Sequence, residues 1–255
     1  MIRFSGVSKA FGDKVVLQDL DLEIPDGGTT VVLGYSGTGK SVALKLITGL
    51  LEPDAGGVEV DGRIVHELER DELMELRGQM GMVFQFSALF DSMTIDENIR
   101  LGLARRGLDD AEVDRRIGES LALVELDDSR QRYPAELSGG MRKRAAIARA
   151  IALRPRYILY DEPTTGLDPV TSAVIDQLML RTQKELGVTG VMVTHDLRSA
   201  FSVGTRLALL YEGSIRQAGS VEEMRASTDP VVRQFLEGRP GPATTKEAAM
   251  PSHQS

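Results

Sequence analysis

The chain has 255 residues, a formal net charge of −8 and no cysteine. That length can bury a core without covalent staples, and the missing cysteines exclude disulfides and thiolate metal sites. The acidic balance excludes a chain-wide basic field for nucleic acid, and no run approaches the ~20 apolar residues that span a bilayer.

Met1–Ala10 lacks the basic start and apolar run of a secretory leader. Met1–Val7 and Val15–Ile24 alternate apolar and polar residues and read as strands, with Gly12-Asp13 between them and Pro25-Asp26-Gly27-Gly28 after them. Thr29–Leu33 is a β-branched run of the buried-strand type, followed by glycines and a helical pattern over Ser41–Leu50. Gly56–Val65 reads as the end of a further strand pair. From about Phe86 to Leu153 the pattern is mostly helical, with a helix over Ala111–Leu126 and another over Ser138–Leu153 that Ser138 can cap. Strands then alternate with helices: Tyr157–Tyr160, Gly190–Thr194 and Arg206–Tyr211 against Thr171–Leu186 and Asp196–Ser202. This order predicts an α/β core with a mainly parallel sheet, an N-terminal antiparallel β part and an inserted helical part. The tail from Arg239 onward, rich in Pro, Gly, Ala, Thr and Ser, is expected to be disordered.

Gly34-Tyr35-Ser36-Gly37-Thr38-Gly39-Lys40-Ser41 fits G-x-x-x-x-G-K-[ST] between a strand and a helix. Its glycines let successive N–H groups turn inward onto phosphate, and the helix start adds its dipole. Lys40 is expected to neutralise the β- and γ-phosphates of ATP, and Ser41 to ligate Mg²⁺. Tyr157–Tyr160 ends in Asp161-Glu162. Asp161 at the strand end suits Mg²⁺ or its water, and Glu162 suits a base that polarises the attacking water. His195 follows another apolar strand. It either contacts the γ-phosphate or serves as a structural histidine.

Leu137-Ser138-Gly139-Gly140-Met141 places a hydroxyl, two glycines and free N–H groups at a helix start, which suits an anion or simple capping. Together with the P-loop, Gln85, Asp161-Glu162, Gly166-Leu167-Asp168 and His195, in that family's order, residues 1–225 resemble the ATPases of ABC transporters. The resemblance implies a helical subdomain inserted at about 86–155, and two ATPs held between paired copies of the chain. In it the P-loop of one copy faces Leu137–Met141 of the other. It further implies that Asp168 communicates across the dimer, that Gln85 touches Mg²⁺ and the water and couples to the inserted helical subdomain, and that His195 switches on the γ-phosphate. Phe11 falls where the family stacks an aromatic on adenine, or it is a core-edge residue. Two positions depart from the common form: Met141 stands where Gln is usual, and Tyr35 where many members have Pro or a small residue.

A finer resemblance is to the ATPases of MCE-type, Mla-like phospholipid transporters. It rests on Gln85–Thr94 with Glu97-Asn98-Ile99, on Ser138–Ala146 including Met141, and on Asp229–Gly238 with Gly241-Pro242. It implies a separate membrane permease, an MCE-domain partner and a place on the inner face of the cell membrane. It also implies a C-terminal helical extension at 226–240 before a disordered 241–255. Val231, Val232, Phe235 and Leu236 would pack inward from that extension, on a neighbouring subunit or on their own domain. The basic residues Arg142, Lys143, Arg144 and Arg149 read as a solvated helix face, with Ala145, Ala146, Ala148, Ile151 and Ala152 inward, rather than as a nucleic-acid surface. An importer ATPase for amino acids or other small solutes has nearly the same core motifs. A soluble, non-transport ABC ATPase is a more distant alternative.

Overall fold

The computed structural model describes residues 1–104 and 106–239, so the tail at 241–255 lies outside the described residues. The alternating N-terminal segments form β1 (Ile2–Phe11) and β2 (Lys14–Ile24), turned by Gly12 at φ 58°. With β4 (Ala55–Val60) and β5 (Arg63–Ile64) they build an antiparallel sheet ordered β2-β1-β4-β5. One residue in two, Ile2, Phe4 and then Leu20, Leu22 and Ile24, faces the core.

The second sheet has six strands ordered β10-β9-β3-β8-β7-β6. Its members are β3 (Thr29–Leu33), β6 (Met80–Val83), β7 (Tyr157–Asp161), β8 (Thr189–Thr194), β9 (Arg206–Tyr211) and β10 (Ser214–Ser220). Neighbours from β9 to β6 run parallel, and β10 returns antiparallel at the edge. Both faces are covered, which is why these strands read as unbroken apolar runs. Val32, Leu159 and Val193 join the core under the antiparallel sheet, whereas Val31, Leu33, Ile158 and Met192 join the core under the helices.

Helix α1 (Lys40–Ile47) follows β3 directly, and α2 (Arg70–Gly78) starts from a capping box between Glu69 and Glu72. The inserted helical part is α3 (Ile95–Leu103), α4 (Asp110–Leu123) and α5 (Gly139–Ala152). Val113, Ile117 and Leu121 are buried at the expected helical spacing. The helical pattern expected from Phe86 begins only at Ile95. Residues 84–94 form a loop with Ser87 at φ 62° and Ala88 at φ 47°. The buried Asn98 side chain fixes this loop, accepting from Phe90 N at 2.7 Å and donating to the carbonyls of Phe90, Met93 and Thr94. On α5 the alanines and Ile151 face inward as expected, but Lys143 is buried too, which corrects the fully solvated reading of the basic face.

The remaining helices are α6 (Pro169–Leu186), α7 (Leu197–Val203), α8 (Val221–Arg225) and α9 (Pro230–Leu236). Of the two positions open to α9, the structure shows it against its own domain. Val232 and Phe235 are buried in the helical-side core, and Phe235 meets Tyr35 edge-to-face with ring centroids 5.0 Å apart. Asp229 caps α9 and pairs with Arg216 at 2.6 Å.

Candidate active site

The parallel strands end along one edge, and the loops after β3, β7 and β8 meet there. The first wraps Gly34–Ser41. A Cβ on Gly34 would lie 2.7 Å from the Leu210 carbonyl oxygen and 2.8 Å from Thr38 Oγ1, so the loop passes the neighbouring strand only as glycine. Gly37 and Gly39 take φ of 77° and 102°, and no side chain caps α1, whose first turn is left facing the loop. Lys40 is buried. Its ammonium donates to the carbonyls of Gly34 and Tyr35 at 2.9 Å each and stands 3.6 Å from Glu162 Oε1. Burial lowers its pKa, opposed by the charges of Glu162 and Asp161.

Ser41 Oγ donates to Asp161 Oδ1 at 2.8 Å. Burial raises the Asp161 carboxyl above its usual range; Ser41 opposes this and the Glu162 charge adds to it. Two hard oxygens side by side, one of them a carboxylate short of compensating charge, suit a divalent cation such as Mg²⁺. Gln85 lines the same cavity.

Glu162 is buried and held at φ 48°, a costly backbone for a side-chain-bearing residue. Its N–H donates to Val193 O at 3.0 Å. Its Oε2 accepts from the hydroxyls of Thr165 and Thr194 at 3.1 Å each, and its Oε1 lies 3.0 Å from His195 Nδ1. The carboxylate is therefore fixed by three side chains, from the loops after β7 and β8 and from the end of β8 itself, and stands near the Lys40 ammonium. Thr165 and Thr194 are not marked by any sequence motif, because a lone threonine beside a strand end looks like strand composition.

A cavity of about 470 Å³ opens over this group, lined by Phe11, Val16, Ser36, Gly37, Lys40, Ser41, Gln85, Glu162 and His195 among others. Phe11 is 47% exposed at its rim, with Lys9 Nζ 5.7 Å from its ring centroid.

The segment Leu137–Met141 lies elsewhere. Ser138 caps α5 by accepting from Met141 N at 3.3 Å, Leu137 is buried, and Met141 packs on the helical-side core. Gly139 and Gly140 sit against Leu167 and Thr171. Asp168 caps α6, accepting from Val170 N at 2.9 Å, Thr171 N at 3.0 Å and Thr171 Oγ1 at 2.5 Å. Those hydrogen bonds, the hydroxyl's first, hold its carboxyl below the usual range. None of 137–141 lines the cavity of its own P-loop.

A glycine-rich loop at a helix start, a Ser–Asp pair suited to Mg²⁺ and a buried, threonine-held glutamate fit a nucleotide-hydrolysing P-loop protein. The family profile described as ABC transporter matches residues 17–165, and the chain belongs to that family: it is an ATPase that takes ATP with Mg²⁺. The probable ribonucleotide transport ATP-binding protein mkl of Mycobacterium tuberculosis is 41% identical over 239 residues, covering 93% of this chain and 67% of that protein. The methionine import ATP-binding protein MetN of Bradyrhizobium diazoefficiens is 40% identical over 243 residues, covering 92% and 70%. Among solved structures, cbiO1 of Clostridium perfringens, part of the cbiONQ transporter complex, superposes with a TM-score of 0.82 at 27% identity, covering 92% of this chain and 94% of that one. The dimeric cassette MJ0796, bound to ADP and Pi, superposes at 0.78 with 35% identity, covering 87% and 99%.

Proposed function

We propose that the chain is the energising subunit of a transporter that moves phospholipid through a separate membrane permease, and that it works as a homodimer with ATP between the copies. The observation that carries the dimer is the division of the site. The cavity is lined by Ser36, Gly37 and Gly39–Ser41 of the P-loop, Glu162, Gln85 and His195, while Leu137–Met141, with its capped helix start, stands outside it. Each cavity is then half a site, completed by Ser138–Gly140 of the second copy, with Asp168 beside the crossing point. The MJ0796 cassette is itself dimeric.

In the completed site Lys40 neutralises the β- and γ-phosphates, and Phe11 stacks on adenine. Ser41, Asp161 and Gln85 would hold Mg²⁺, which would supply positive charge against the phosphate oxygens. Glu162 takes the proton of the attacking water. His195 has Nδ1 committed to Glu162, leaving Nε2 for the γ-phosphate.

The permease is supported by an aromatic surface beside Gln85. Phe86 is 86% exposed and Phe90 51%, with Phe84 also exposed, while Asn98 holds the loop rigid beneath them. Among the described residues no helix is long and apolar enough to cross a membrane. The lipid assignment and the MCE-domain partner rest on the three resembling segments. The 40% identity to a methionine importer subunit favours a second reading, an ATPase for amino-acid import.

Isolation of the tagged chain from detergent-solubilised membranes tests this. Co-purification of a multi-span permease and an MCE-domain protein supports the lipid reading, and a permease paired with a solute-binding protein overturns it. Mixing a Lys40→Ala chain with a Ser138→Ala chain tests the shared site. One composite site should recover turnover, and none recovered removes the sandwich.

A further inference from the structure

Lys143 is the one buried cation of α5, and it does not line the cavity. Its ammonium donates to the carbonyl oxygens of Phe84, at 3.3 Å, and of Gln85. Arg149, six residues on and therefore about 9 Å further along the axis, donates through Nη2 to Ser87 O at 3.0 Å and through Nη1 to Ala88 O at 2.5 Å. One helix thus holds four carbonyls of one loop.

That loop needs holding. Ser87 and Ala88 are consecutive non-glycine residues at positive φ, a conformation that costs each roughly 1–2 kcal/mol. Donors aimed at the carbonyls of those same residues offset that cost. Burying the Lys143 ammonium, and half-burying the Arg149 guanidinium, is itself unfavourable unless each is well paired. A helix face selected only for packing would carry alanine or leucine here, as α5 does at Ala145, Ala146 and Ala148. The other end of the helix is the segment 137–141, with Ser138 as its cap.

We propose that Lys143 and Arg149 are positioning residues that lock the Gln85 loop to the helix behind the Leu137–Met141 segment, so that engagement of this segment by the partner copy's nucleotide is felt at the subunit's own Gln85. The relay rests on the sandwich reading; the lock itself does not. Neither residue lines the cavity. Each acts through the backbone of the loop that carries Gln85 to the cavity, where about 1 Å of displacement is worth up to ~100-fold in rate.

The test uses the full chain with Lys143→Met, which deletes the donor, and Lys143→Gln, which keeps an N–H for the carbonyls without the charge. Lys143→Met should lower kcat about 10- to 100-fold, leave the Kd for Mg-ATP within about twofold, lower the Hill coefficient for ATP and speed amide exchange over 84–89. Lys143→Gln should recover most of the kcat. A Lys143→Met kcat within about threefold of the parent, or unchanged exchange over 84–89, overturns the proposal. So does a Kd that rises as far as kcat falls, because the pocket itself has then collapsed. If Lys143→Met loses its cooperative melting transition, Arg149→Lys takes its place. It keeps the charge but not the fork, should also speed exchange over 84–89, and overturns the proposal if exchange matches the parent. A parent chain with a Hill coefficient of one and no ATP-dependent dimer refutes the sandwich instead, and the exchange measurement still decides the lock.

Discussion

Glu162→Gln separates binding from chemistry. The substitution keeps the shape and removes the charge. The amide oxygen can face Lys40 and His195, where Oε1 stands 3.6 Å and 3.0 Å away. The amide nitrogen then meets the hydroxyls of Thr165 and Thr194, which turn from donating to accepting; Thr194 Oγ1 already accepts from Asp196 N at 3.0 Å. The loop should therefore hold, and ATP should bind with an affinity near that of the parent chain. What is lost is a base placed next to the γ-phosphate. General-base catalysis contributes about 10²–10⁴ in rate, or roughly 3–5 kcal/mol of barrier at about 1.36 kcal/mol per decade. Turnover measured by phosphate release should fall by that factor, and size-exclusion chromatography with Mg-ATP should show an accumulated dimer. A kcat within about threefold of the parent, with ATP bound normally, would refute the base assignment. Loss of ATP binding would refute the claim that the threonine pair tolerates the amide.

Three further outcomes follow from the geometry. Lys40→Ala removes a charge-assisted phosphate contact worth about 1.5–3 kcal/mol, so calorimetry should show ATP affinity weakened by roughly 10- to 100-fold. Gly140→Ala places a Cβ 2.5 Å from Thr171 Cγ2, and the β-branched Thr171 can turn away only by giving up its hydroxyl bond to Asp168. The melting temperature should drop by several degrees, for a cost of about 1–3 kcal/mol, and adding Thr171→Ala should restore it. Asp176 is buried in α6, with Oδ2 accepting from Ser199 Oγ at 3.1 Å and Oδ1 without a partner among the described residues. Burial raises its pKa above 3.8, with Ser199 opposing. Folding favours the protonated form, so the contribution of this group is fully present below pH 3.8 and lost as pH rises through the folded value. The stability of Asp176→Asn relative to the parent, from urea unfolding, should grow as pH rises from 3.8 and then level off. A difference that stays flat with pH removes this reading.

What the sequence shows most clearly is chemistry carried by neighbours in the chain. Gly34–Ser41 and Asp161-Glu162 are contiguous, and the apolar runs of β3, β7, β8 and β9 have no other use for their residues than a sheet buried on both faces. What it hides depends on partners far along the chain. Met80-Gly81-Met82-Val83 has little strand propensity of its own. It becomes β6 by pairing with β7, and a Cβ on Gly81 would come within 3.0 Å of Ala150 in α5. Helix α2 buries fully only Leu76, so its nine residues show charge and little apolar period. The polar edge strand β10 is specified by β9. Lys143 sits between Arg142 and Arg144, where a run of charge reads as solvent-facing. The carbonyls of Phe84 and Gln85, brought up by the loop, meet that one residue where it turns inward.

The contact between Tyr35 and Phe235 ties the P-loop and the C-terminal helix into a single unit of inheritance. The Tyr35 ring meets Phe235 at an interplanar angle of 88°. Transplanting a P-loop with a small residue at position 35 into this chain would strand Phe235 over a void. Grafting a different C-terminus would leave an uncovered phenol beside the nucleotide loop. Chimeras with other cassettes should therefore exchange both positions together, and homologous tails will be interchangeable only where residue 35 matches.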